Sequence, residues 1–160
     1  MTPIEHSAME AGLKLPTPST PGGNYSSFNI RGNTAHIAIQ FPIKDGDFLY
    51  QGRLGATLNA QEGYDAMQLC AMNVLAQINK HLTFNQLEGM NHLDIYYQST
   101  DYWDEGPYVA NGASDIFMEV LGGKGEHSRS ILGVHSLPRN FSVGLTATAT
   151  INRKPFWFFL

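Results

Sequence analysis

The chain has a single cysteine, Cys70, among its 160 residues. An internal disulfide framework and any multi-cysteine metal site are therefore excluded. Charge is scarce too. Asp, Glu, Lys and Arg make up 15% of the sequence, against roughly 25% in ordinary soluble domains. What charge there is leans acidic, with 14 acidic and 10 basic residues and a formal net charge of −4. No basic stripe stands out, so a nucleic-acid backbone finds little to bind. No apolar run approaches the ~18 residues of a membrane span. The opening, Met1 to His6, lacks both a basic n-region and an apolar h-region, so a soluble cytoplasmic protein is expected. Against these shortages, 42% of the residues are hydrophobic, which argues against disorder. A chain of this length makes about one domain, and its low charge points to a surface partly covered by copies of itself.

Residues 1–23 read as an extended lead-in, residues 24–151 as the folded domain and residues 152–160 as an aromatic tail. Leu15 to Gly23 holds three prolines and two glycines, and each proline removes a donor and restricts the residue before it. Tyr25–Ile30 and Thr34–Gln40 flank Arg31-Gly32-Asn33, a hairpin signal. Phe48–Tyr50 is a short strand candidate. Asn59-Ala60-Gln61-Glu62 matches a capping box. After it Met67, Cys70, Ala71, Val74, Leu75 and Ile78 recur at helical spacing, with Gln68, Asn73 and Gln77 off that stripe. The helix is predicted to end near Lys80 or His81. Met90–Tyr97 alternates as a strand. Pro107–Leu121 reads as a second helix, opened by proline and closed by Gly122-Gly123. Ile131–Leu137 and Phe141–Ile151 read as the last strands. The order is ββαβαββ, an α+β fold with two helices on one face of a mixed sheet. The other face needs a cover, and self-association supplies it most simply.

Little in the sequence carries an isolated chemical signature. Six histidines are scattered without ligand-like spacing, so no metal is expected. Gly122-Gly123-Lys124-Gly125 follows a helix instead of opening one, the wrong order for a phosphate cradle. Cys70 on an apolar stripe reads as inert core filler. Glu126-His127-Ser128-Arg129-Ser130 says more. It lies between a helix and a strand, and Arg129 can grip a carboxylate with both prongs of its guanidinium; an ordinary surface ion pair is the other reading.

Five pieces then match together in order: Gly22-Gly23-Asn24-Tyr25, Ala38-Ile39-Gln40-Phe41-Pro42, Gly52-Arg53-Leu54-Gly55, Asn111-Gly112-Ala113-Ser114-Asp115, and His127-Ser128-Arg129-Ser130 followed by Gly133-Val134-His135-Ser136-Leu137-Pro138. As a set they resemble the RidA/YjgF family, once called L-PSP endoribonuclease-like. The long spacing from Asn111 to Arg129 is similar to its less characterised branch. The resemblance implies a chorismate-mutase-like fold and a homotrimer with ligand clefts between subunits. It implies hydrolysis of reactive enamines and imines to keto acids and ammonia, with no cofactor. In that chemistry an arginine holds the substrate carboxylate, and a glutamate with backbone groups orients the attacking water. Arg129 falls on the arginine, Tyr25 on an early cleft tyrosine and Asn111 on a cleft asparagine. Three positions depart. Ile131 stands where many members have cysteine, Ile39 where many have glycine, and Gly144 where the glutamate usually stands. His127, His135 and Tyr96 are candidate replacements for the lost carboxylate.

The primary expectation is therefore an imine or enamine hydrolase anchored by Arg129, acting on a small molecule without nucleic acid or membrane. The alternative is a repurposed trimer that binds or transforms a less polar metabolite, since all three departures make the cleft less polar. An RNA-directed role, suggested by the older family name, is opposed by the acidic balance. The tail Pro155–Leu160 is expected to pack on its own or a neighbouring subunit, or else to lid a cleft or dock on a partner enzyme.

Overall fold

The computed structural model describes residues 1–153; the aromatic tail from Pro155 onward lies outside the described residues. Helix α1 spans Pro3–Glu10, where an extended lead-in was predicted. The Thr2 hydroxyl accepts from the Glu5 N–H at 3.2 Å, and the Glu5 carboxylate accepts from the Thr2 N–H at 2.9 Å. That reciprocal box, with proline in the first turn, is enough to start a helix. The bond from Thr2 N–H also holds the Glu5 carboxyl below its usual range. Ile4 and Ala8 are buried and tie α1 to the rest of the molecule. The proline-rich stretch from Leu15 to Gly23 carries no helix, as its composition dictates.

Strands β1 (Phe28–Arg31) and β2 (Thr34–Gln40) form the predicted hairpin. Next, β3 (Ile43–Lys44) and β4 (Asp47–Phe48) make a separate two-stranded ribbon, turned by Asp45 and Gly46 at positive φ. Helix α2 (Ala60–His81) starts at the predicted box, where Asn59 Oδ1 accepts from the Glu62 N–H at 2.8 Å. All six residues of its apolar stripe are buried. Burying one large apolar side chain is worth roughly 1.5–3 kcal/mol, so this stripe anchors the core. Cys70 is fully enclosed, and burial pushes its thiol well above the ordinary range.

Two polar residues set off the stripe are nonetheless buried. Asn73 Nδ2 donates to the carbonyls of Phe41 and Ile43 at 2.9 and 2.8 Å, and Gln77 Nε2 donates to Ser19 O at 2.8 Å. These side chains off the stripe of α2 thus bind backbone carbonyls, which would otherwise lack partners.

Strand β5 (Leu87–Gln98) leads to α3 (Gly106–Leu121), then β6 (Ser128–Val134) and β7 (Val143–Ile151). The main sheet runs β1-β2-β7-β5-β6, and only β5 and β6 are parallel. Strand β6 starts three residues earlier than predicted, because Ser128 already pairs with His92 across the parallel ladder. Helices α2 and α3 pack side by side at Gly112, where a Cβ would stand 2.4 Å from the Tyr64 carbonyl oxygen. Both cover the sheet face formed by Leu93, Ile95, Leu145 and Ala147. The opposite face presents half-buried His92, Asp94 and Tyr96 from β5 and Thr146, Thr148 and Thr150 from β7.

One end of the sheet is fastened by Gln98, which is buried. Its Nε2 donates to Gly52 O and to Asn140 Oδ1, both at 2.8 Å, while its Oε1 accepts from the Leu137 N–H at 2.8 Å.

Candidate functional site

Arg129 is the second residue of β6, at the sheet edge beside α3. Its Nη1 donates to Asn111 Oδ1 at 2.8 Å and to Ser114 Oγ at 3.0 Å. Asn111 and Ser114 are one helical turn apart and so share a face of α3. Both acceptors are neutral, and no carboxylate pairs with Arg129 among the described residues. With Nη1 occupied, Nε and Nη2 remain as a parallel pair of donors, the edge that grips a carboxylate. The side chain is half-buried, not lost in bulk solvent.

His127 joins the same cluster. Its Nδ1 lies 2.6 Å from Gly125 O, and its Nε2 lies 2.8 Å from Ser114 Oγ. A carbonyl only accepts, so Nδ1 carries the hydrogen. In the neutral ring Nε2 is then bare, and the Ser114 hydroxyl donates to it. Phe117 meets the ring edge-on at 6.0 Å between centroids. Gly125 is held where it is by close approach, since a Cβ there would sit 2.0 Å from Phe117 O. Arg129, Asn111 and His127 are thus brought together. Ser114 links His127 to Arg129 yet was not singled out from the sequence, although Asn111/Ser114 and His127/Arg129 carry the spacings of a helix face and a strand face.

The other expected residues lie elsewhere. Gly144 is on the open sheet face, in register with Tyr96 of β5. A Cβ at Gly144 would stand 2.8 Å from Ile39 Cδ1 and 3.0 Å from Phe41 Cε1. Ile39 therefore fills the space above Gly144, and the two departures are one packing unit. A register shift between Ile37 and Gln40 accompanies the placement of Ile39. Ile131 belongs instead to the helix-side face, packed against the core. His135 is exposed, and its carbonyl accepts from Arg53 Nη2 at 2.6 Å.

Tyr25 is 52% exposed and lies just before β1. Its hydroxyl accepts from the Gly22 N–H at 3.1 Å. Strands β1 and β6 are opposite edges of the sheet. At ~4.8 Å per strand they are about 19 Å apart, so one chain does not bring Tyr25 to Arg129. The single chain has concavities of about 380 Å³ near Trp103 and about 440 Å³ beside α1, and neither includes Arg129. Among the described residues no group of three His, Cys, Asp or Glu side chains could hold a metal ion, and no helix is long and apolar enough to cross a membrane.

Comparison with known proteins gives this geometry a context. Protein TCP17 of Trypanosoma cruzi is 34% identical over 143 residues, 88% of this chain and 89% of that protein. The crystal structure of Atu1372, a protein of unknown function from Agrobacterium tumefaciens, superimposes with a TM-score of 0.86 at 32% identity, covering 94% of this chain and 93% of that one. A "putative endoribonuclease" from Shewanella oneidensis superimposes with a TM-score of 0.89 at 32% identity, covering 94% and 99%. Residues 5–148 match the model of the family described as "YjgF/chorismate mutase-like, putative endoribonuclease", and the chain belongs to that family.

Proposed function

We propose that the protein hydrolyses the imines and enamines of small carboxylated metabolites, releasing ammonia and a keto acid. The observation that carries this reading is Arg129: a cation without an acidic partner among the described residues, steadied by two neutral acceptors on α3. The Nε/Nη2 edge would take the substrate carboxylate. Water would then add to the iminium carbon, the C–N bond would break, and ammonia would leave. This chemistry needs water and acid–base help only. Tyr25 would complete the cleft from a neighbouring copy, since its own chain keeps it at the far sheet edge. A homotrimer covering the open sheet face would serve that purpose.

The test is ammonia release from the imine of pyruvate, generated in place by oxidation of alanine. The protein is expected to accelerate it over the spontaneous rate. Two charge-assisted bonds at about 1.5–3 kcal/mol each imply that Arg129→Ala lowers kcat/KM by about 10²–10⁴-fold, with the assembly intact by light scattering. Equal rates with and without protein would remove the proposal.

Ile39 over Gly144 favours a second reading, in which the cleft takes a less polar metabolite. That reading expects a ligand lacking a carboxylate to bind wild type and Arg129→Ala equally by calorimetry. Discrimination between the two proteins would discard it.

A further inference from the structure

We infer that His127 couples Arg129 to pH: each carboxylate that Arg129 binds draws a proton onto His127, and the site grips carboxylates harder as the medium turns acid. The inference rests on the reading above that Arg129 holds the substrate carboxylate. The His127 ring has one free position. Nδ1 is committed to Gly125 O at 2.6 Å, so a proton arrives or leaves only at Nε2, 2.8 Å from Ser114 Oγ. With the neutral ring, the Ser114 hydroxyl hydrogen points to Nε2. With the imidazolium, Nε2 donates to Oγ and the hydroxyl hydrogen turns away, since a hydroxyl carries one hydrogen and two lone pairs. In both states a lone pair is left to accept from Arg129 Nη1 at 3.0 Å. The cluster therefore holds the ring with or without the extra proton, and charge decides between the two.

An imidazolium at His127 stands within about 6 Å of Nη1, the two bonds through Ser114 laid end to end. The other charged groups on the surrounding elements are engaged elsewhere or face solvent. Lys124, in the turn before the ring, donates to Phe84 O at 2.8 Å. Asp115 on α3 accepts from the Tyr64 hydroxyl. His92 and Asp94 of β5 pair with each other on the opposite sheet face. Glu88, Glu119 and Glu126 are exposed and form no ion pair with His127 among the described residues. A bare guanidinium thus opposes proton uptake by the ring, and a carboxylate on the Nε/Nη2 edge cancels that opposition. The ligand sits across the guanidinium from Ser114 and never touches the ring; only its charge is felt. By linkage, the proton strengthens carboxylate binding as much as the carboxylate strengthens proton binding. At about 9 Å between ring and carboxylate, unit charges change affinity by about 2- to 20-fold across the range from bulk water to a protein surface. His127 acts through Arg129 and is a positioning residue.

Calorimetry of pyruvate binding to the full chain tests this. Pyruvate stays ionised throughout, whereas an imidazole changes charge between about pH 5 and 8. Kd is expected to fall by about 2- to 20-fold from about pH 8 to about pH 5.5. Midway, the binding enthalpy is expected to vary with the ionisation enthalpy of the buffer, in the sense of proton uptake. His127→Gln, which cannot titrate, is expected to flatten the pH profile and to abolish the uptake. His92→Gln is expected to keep both, which separates His127 from the general effect of charging histidines. Thermal melting confirms that each variant is folded, and the wild-type buffer series decides the matter even where a variant is not. Pyruvate binding without proton uptake overturns the coupling, as does a pH profile as steep in His127→Gln as in wild type; either result leaves Arg129 standing as the carboxylate anchor. Pyruvate that binds at neither pH brings down the anchor and the coupling with it.

Discussion

The two patches on which this fold could do chemistry are built in opposite ways. Beside α3, Arg129, Asn111, Ser114 and His127 form a polar cluster joined by hydrogen bonds. On the open sheet face, Gly144 is roofed by Ile39 and Phe41, whose carbons are what a Cβ there would meet first. The first patch keeps an anion anchor. The second is closed where the family resemblance places a glutamate. At Gly144 itself the space is filled by apolar packing, while Tyr96, in register with it, is the polar side chain that the same face offers beside it.

Gly125→Ala strikes the polar cluster hardest. A Cβ set 2.0 Å from the Phe117 backbone oxygen has no flexible neighbour to displace. The Gly125 carbonyl must move, and with it the group that fixes the His127 tautomer. A loss of about 3 kcal/mol or more is expected in denaturant unfolding, beyond the 1–3 kcal/mol typical of overpacking. The corresponding insult to the apolar patch is milder, because Ile39 is a side chain that can be shortened. Gly144→Glu alone is expected to cost about 1–3 kcal/mol, and Ile39→Gly made with it should recover part of that. A double-mutant cycle would show coupling of about 0.5–3 kcal/mol; strict additivity would mean that Ile39 and Gly144 are not one unit.

Asn111→Ala removes one neutral acceptor from Arg129 and leaves Ser114. About 1 kcal/mol is at stake, read as a several-fold rise in KM with kcat nearly intact. The smallest effect lies just outside both patches, at Tyr64. Its hydroxyl donates to Asp115 Oδ2 at 2.5 Å, and that bond pushes its pKa up to about 12 from 10.0. The stabilisation is fully present below the unfolded value and is lost as pH climbs from 10 toward 12. Ultraviolet titration of Asp115→Asn should return Tyr64 toward its ordinary range, with little change near neutrality. A shift in KM for the imine of pyruvate in that variant would show that the cluster extends farther along α3.

Much of the architecture could be read from the residues because periodic signals survive tertiary context. The box at Asn59 and Glu62 and the stripe from Met67 to Ile78 gave α2 its limits, and Pro107 and Gly122 framed α3. The same box written Thr2-Pro3-Ile4-Glu5 was hidden by the prolines that follow it. Asn73 and Gln77 were placed only off the stripe because periodicity counts apolar residues, whereas they are buried and bond carbonyls brought over by the chain. The β6 start was misplaced because a parallel partner from β5 set it. At the site, Arg129 and Asn111 were legible through ordered motifs. Ser114 was not, since its importance lies in hydrogen bonds that meet only once α3 and β6 are adjacent. The coupling of Ile39 to Gly144 joins strands far apart in sequence, across a register shift that no local pattern announces.

Gln98 has a dynamic consequence. Its one amide group contacts two loops, one through Gly52 and the other through Leu137 and Asn140. Neither opens without abandoning a polar group already sealed from solvent. The two loops should therefore exchange their amide hydrogens as one cooperative unit, slowly and together, while the turns at the far end of the sheet fluctuate independently.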